Sequence, residues 1–167
     1  MFLPALEDML GCLSSAASDL TDPPNVIGMR YGQEVVFDMA QNADLCCQGF
    51  AWVRMAGASP GFGDDPYSAA ARCRVMTWTL DLELGIVGCA PMGDDENIVS
   101  EQEQTETAYR LSEEFAALRR ALCCFGDLIP GYDFTVGAYA PAGPLGGCVG
   151  ASINVQVQIV ANDSPAV

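Results

Sequence analysis

The chain contains no histidine and no lysine. Without histidine there is no Ser–His or Cys–His nucleophile, and the commonest general base and the usual imidazole ligand of zinc or haem are missing. Without lysine, Walker-type phosphate binding and Schiff-base chemistry are excluded. Positive charge is scarce as well: seven arginines face 22 acidic residues, a formal net charge of −15. Phosphate backbones and anionic membranes would repel such a surface. Long apolar runs are also lacking. A stretch such as Gly85 to Met92 falls far short of the roughly 20 residues that span a bilayer. The start, Met1-Phe2-Leu3-Pro4 running into Glu7 and Asp8, is the opposite of a basic signal-peptide start, so the chain is expected to stay where it is made. Gly61-Phe62-Gly63 lacks the third glycine of a dinucleotide-binding turn and reads as loop.

What is present suits one folded domain. At 167 residues with a 50% hydrophobic composition, folding can bury about 70% of the unfolded chain's surface. The expected extent is 1–160, with 161–167 a flexible tail of polar turn residues. Eight cysteines include two adjacent pairs, Cys46-Cys47 and Cys123-Cys124. With no export signal, the expectation is reduced thiols packing as small hydrophobes. A zinc or redox module built from those two pairs is an alternative, but neither has C-x₂₋₄-C spacing. Asp64-Asp65 and Asp94-Asp95-Glu96 offer oxygen ligands to a divalent cation, yet lack the alternating spacing of a calcium loop. Solvated acidic turns are the simpler reading, so neither metal nor cofactor is expected. Asp81 and Glu83 could form an acid–base pair, although any solvent-facing strand shows the same alternation.

Periodicity then sets out the elements. Leu6, Met9, Leu10 and Leu13 predict a helix over Pro4 to Ser18, ended by Asp22-Pro23-Pro24. Strands are expected within Asn25 to Met39 and over Cys46 to Met55, where Phe50 and Trp52 oppose Ala51 and Val53. Ala56 to Tyr67, rich in Gly, Pro and Asp, reads as a long loop. Over Arg72 to Ile86, Met76, Trp78, Leu80, Leu82, Leu84 and Ile86 alternate with Thr77, Thr79, Asp81 and Glu83, the pattern of a half-buried antiparallel strand. A long helix starts at a Ser100–Glu103 capping box and carries a stripe of Ala108, Leu111, Phe115, Leu118, Leu122 and Phe125, with Gly126 placed to close it. Asp133 to Tyr139 and Ser152 to Val160 predict a final hairpin across a glycine-rich connector, Ala140 to Gly147. The expected fold is α+β: an antiparallel sheet of about five strands with two helices packed on one face.

This order of elements resembles the tail terminator proteins of long-tailed phages that infect actinobacteria. The resemblance is carried by Trp78-Thr79-Leu80-Asp81-Leu82-Glu83-Leu84, by Leu118-Arg119-Arg120-Ala121-Leu122, and by Pro141 to Gly150 followed by Ile153-Asn154-Val155-Gln156-Val157. It implies a structural virion protein at the top of the tail, assembled in the host cytoplasm, and not an enzyme. Its copies would form a hexameric ring that caps the tail tube protein, ends tube growth and docks the head–tail connector or stopper protein. A stopper or connector is the neighbouring alternative; a metal-dependent or thiol-dependent small enzyme is the alternative of another class. In a ring, Phe62, Tyr67, Tyr139 and Leu145 are expected at subunit interfaces, or else covering the monomer's own sheet. Asp64, Asp65, Asp81 and Glu83 are expected to line a lumen through which genome DNA slides by repulsion, without specific binding.

Overall fold

The structure is a computed structural model that describes residues 3–30, 46–61, 76–91, 93, 98–128, 133–145 and 147–161. Two helices, α1 (Leu3–Ala17) and α2 (Glu101–Leu128), accompany five strands: β1 (Val26–Arg30), β2 (Phe50–Gly61), β3 (Met76–Cys89), β4 (Phe134–Leu145) and β5 (Cys148–Ala161). The strands form one sheet in the order β1-β2-β3-β5-β4. The α+β class and the five strands are as expected. The sheet is mixed, however, because β1 runs parallel to β2 while every other pair is antiparallel. No helix of the described residues is long and apolar enough to cross a membrane.

Alternation places the core. Ala51, Val53, Leu80, Leu82, Leu84, Ile86, Ile153, Val155, Val157 and Ile159 form one buried cluster with Met9, Cys12, Leu13 and Ala16 of α1 and Ala117, Leu118, Ala121, Leu122 and Phe125 of α2. Each fully buried aliphatic side chain contributes about 1.5–3 kcal/mol. A smaller cluster of Cys46, Phe50, Trp52, Val87 and Cys148 lies on the opposite side of the sheet. β2 is therefore buried on both faces. Phe50 and Trp52 stack at 5.8 Å, and the Arg30 guanidinium sits 4.2 Å above the Phe50 ring. The Trp52 indole lies where a Cβ on Gly85 would be, so only glycine fits there.

Four expectations are corrected. β2 continues through Gly61, so the first residues of the expected Ala56 to Tyr67 loop are strand, with a bulge between Met55 and Gly57. Its pairing with β3 continues through Gly61, opposite Thr77, and the remainder of that segment, from Phe62, lies outside the described residues. Likewise, β4 takes up most of the expected Ala140 to Gly147 connector, running through Leu145, with Pro141 standing opposite Ala151. Proline is tolerated there because β4 is an edge strand. Helix α2 passes Gly126 and ends at Leu128. A Cβ on Gly126 would lie 3.1 Å from the Phe134 ring, so this glycine makes room for packing and does not cap. Finally, among the described residues six cysteines are paired: Cys12–Cys124, Cys46–Cys148 and Cys47–Cys89. The two adjacent pairs do not come together, and Cys123 is an exposed free thiol.

Candidate functional site

The capping box forms as expected at the start of α2. The Ser100 amide donates to Glu103 Oε2 at 2.8 Å, and the Glu103 amide donates to Ser100 Oγ at 3.2 Å. The Ser100 hydroxyl holds the Glu103 carboxyl below its ordinary range, helped by the Ser100 amide. From this cap the helix runs 28 residues, about 42 Å. Its buried residues are Glu114, Ala117, Leu118, Ala121, Leu122 and Phe125. Everything before Glu114 is exposed or half-buried.

The expected apolar stripe is thus only half absorbed by the core. Leu118, Leu122 and Phe125 are buried, whereas Phe115 is 39% exposed and Ala108 is open to solvent. Tyr109, 70% exposed, and Ile98, 94% exposed, belong to the same end of the molecule. Between this arm and the β4–β5 turn lies an open, mainly apolar groove of about 440 Å³, lined by Val99, Ala108, Leu111, Pro144 and Val149 among others. Glu101, Glu103 and Glu106 stand exposed along the arm.

Where the arm meets the sheet, Glu114 is almost fully buried and lies 3.4 Å from Arg110 Nε. Arg110 Nε, Arg110 Nη2 and Glu114 Oε2 are buried without hydrogen-bond partners. Burial pushes the Glu114 carboxyl up to about 7; Arg110 draws it down, and Asp22 adds to the rise. This pair was not anticipated from sequence. The available signal was a glutamate on the same helical face as Ala117, Leu118 and Ala121.

The other sheet face carries a second buried polar group. Trp52 Nε1 donates to Glu83 Oε1 at 3.3 Å, Arg54 Nε donates to Glu83 Oε2 at 2.8 Å, and Arg54 Nη2 also contacts Oε2. Glu83 is only 8% exposed, so its charge is spent within the sheet and does not face a lumen. Asp81 is half-buried and accepts from Gln156 Nε2 at 2.8 Å. Asp64 and Asp65, and Phe62 and Tyr67 among the expected interface residues, lie outside the described residues. So do Asp94, Asp95 and Glu96. Tyr139 packs edge-on against Phe115, with ring centres 4.8 Å apart, and its hydroxyl donates to the Leu111 carbonyl at 3.3 Å. Burial and the nearby Glu114 charge raise its pKa. It covers its own molecule. Leu145 pairs with Cys148 at the end of the hairpin.

Gly57-Ala58-Ser59-Pro60-Gly61 has the spacing of a nucleophile elbow. It is strand, with Ser59 opposite Thr79 in the β2–β3 ladder, whereas an elbow needs a strand-to-helix turn. In this oxidised form no group of three or more His, Cys, Asp or Glu side chains among the described residues is arranged to hold a metal ion. Compared with models of known families and with curated proteins, the chain matches none.

Proposed function

We propose that the chain is a structural virion protein: a tail terminator whose copies form a ring, cap the finished tail tube and dock the tail to the head. The observation that carries this reading is the α2 arm. About 13 residues of helix, with half of an apolar stripe, leave the monomer's core and border an open groove. An isolated helix of that length is marginal in water, so the arm gains its stability from what it packs against. A neighbouring subunit supplies that packing, and contiguous exposed apolar surface is characteristic of such contacts. The disulfides also suit a particle that leaves the cell, since oxidised cysteines persist on virions and not in the cytosol. In this reading the subunits are made reduced and close their disulfides after release.

Native mass spectrometry over a concentration series tests the proposal. The expected result is a closed ring, six copies by preference, either alone or after addition of tail tubes. Ala108→Glu should abolish the ring while leaving monomer stability within about 0.5 kcal/mol, because Ala108 is exposed. A chain that stays monomeric with and without tubes would sink the reading.

A further inference from the structure

Four cysteines that are scattered in sequence converge at one end of the sheet. Cys89 of β3 and Cys148 of β5 stand directly opposite each other in the antiparallel ladder. Residues so placed project to the same face with Cα atoms about 4.5–5.5 Å apart. Cys46 and Cys47 are consecutive, with Cα atoms about 3.8 Å apart. Cys46 lies 5.5 Å from Cys148 and Cys47 lies 4.2 Å from Cys89, Cα to Cα. All four sulfurs are therefore gathered on one face, within the span of a single tetrahedral ion.

A second observation points the same way. A cavity of about 20 Å³ is lined by Cys46, Cys47, Cys89 and Arg110, along with Asp22, Gly88 and Glu114. Arg110 brings two buried N–H groups without hydrogen-bond partners to this place. Four thiolates around a divalent cation carry a net charge of −2, and buried donors beside the sulfurs are what such a centre needs in its surroundings. Glu114 competes for the same guanidinium, but through one 3.4 Å contact only.

We propose that in the reduced chain Cys46, Cys47, Cys89 and Cys148 hold one zinc-like divalent cation as a tetrathiolate, with Arg110 donating to the sulfurs. Sulfur ligands in tetrahedral array select zinc among the common hard and borderline divalent ions. Opening the two disulfides takes four electrons and four protons from two dithiol molecules, which become disulfides themselves. Binding the cation then displaces the four thiol protons. The site and the two disulfides are alternative states of the same four residues. This inference does not depend on the assembly reading.

The test uses the full chain, reduced anaerobically with a dithiol and freed of it, then titrated with Co²⁺. One Co²⁺ per chain should bind with the charge-transfer and ligand-field absorption of a tetrahedral sulfur site, and Zn²⁺ should bleach it. C47S and C89S should each lose that spectrum, while the double variant C12S/C124S should keep it. R110Q retains all four thiols and should bind about 10–100-fold more weakly. A reduced wild-type chain that binds no cobalt overturns the proposal. So does a cobalt spectrum that survives C47S and C89S, since the ion would then sit on other thiols. Unchanged affinity in R110Q overturns the part assigned to the guanidinium.

Discussion

Replacing Glu114 by glutamine should flatten the dependence of stability on pH across the neutral range. In the folded chain burial lifts this carboxyl from 4.5 to about 7, while the unfolded chain returns it to solvent. A group whose folded pKa is raised binds its proton more tightly when folded. Its stabilising contribution is complete below pH 4.5 and is lost as pH rises through 7. The gap of about 2.5 pKa units amounts to roughly 3.4 kcal/mol at 1.36 kcal/mol per unit, of which about 2.5 kcal/mol falls between pH 5 and pH 8. Other acids contribute too, because a chain with a net charge of −15 repels itself more as pH rises. The informative quantity is therefore the difference between wild type and E114Q. Guanidinium unfolding followed by tryptophan fluorescence at pH 5, 6, 7 and 8 measures it; buried Trp52 supplies the signal. The wild type should lose about 2.5 kcal/mol more than E114Q over this range. Parallel profiles would refute the reasoning, placing the Glu114 pKa near that of an ordinary carboxylate.

Other expectations are narrower. Gly85→Ala puts a methyl group into the space held by the buried Trp52 ring; overpacking of this kind costs about 1–3 kcal/mol, readable as a lower denaturation midpoint. The C12S/C124S pair removes the bridge between α1 and α2, which joins positions 112 residues apart, and should cost about 2–5 kcal/mol by thermal or chemical unfolding. Alkylation of the native, unreduced chain should modify the exposed thiol Cys123 and leave the six paired cysteines untouched, as peptide mapping would show; label on Cys47 or Cys89 would contradict the pairing.

Much of the fold was legible where a single period governs a segment. The apolar spacing in α1, the strict alternation through β3 and the Ser100–Glu103 box each express local geometry, and the structure follows them closely. The misplaced features depend on what lies far away in the chain. Nothing within Val26 to Arg30 says that its partner runs parallel, because direction belongs to the pair. Gly57 to Gly61 and Ala140 to Leu145 have turn-like compositions, yet neighbouring strands supply hydrogen bonds that outweigh the local preference. Disulfide pairing is the extreme case: adjacent residues Cys46 and Cys47 bond to different strands, a choice made by the β3–β5 register. The α2 stripe was legible, but how much of it the core would cover was not. That depends on where the sheet ends.

The strand order carries a kinetic consequence. β5 lies between β3 and β4 and forms, with β3, the longest ladder among the described residues, yet it is the last of the described elements along the chain. Until residues 148–161 have been synthesised, β3 has an open edge, and Leu80, Leu82 and Leu84 lack their partners Val157, Val155 and Ile153. Pairing β5 with β3 closes a loop of more than 50 residues between Cys89 and Cys148, a long-range contact of the kind that slows folding. Incomplete chains would expose an unpaired, apolar strand edge and aggregate sooner than assemble. Only a chain made through its last strand can present a finished surface to a neighbour.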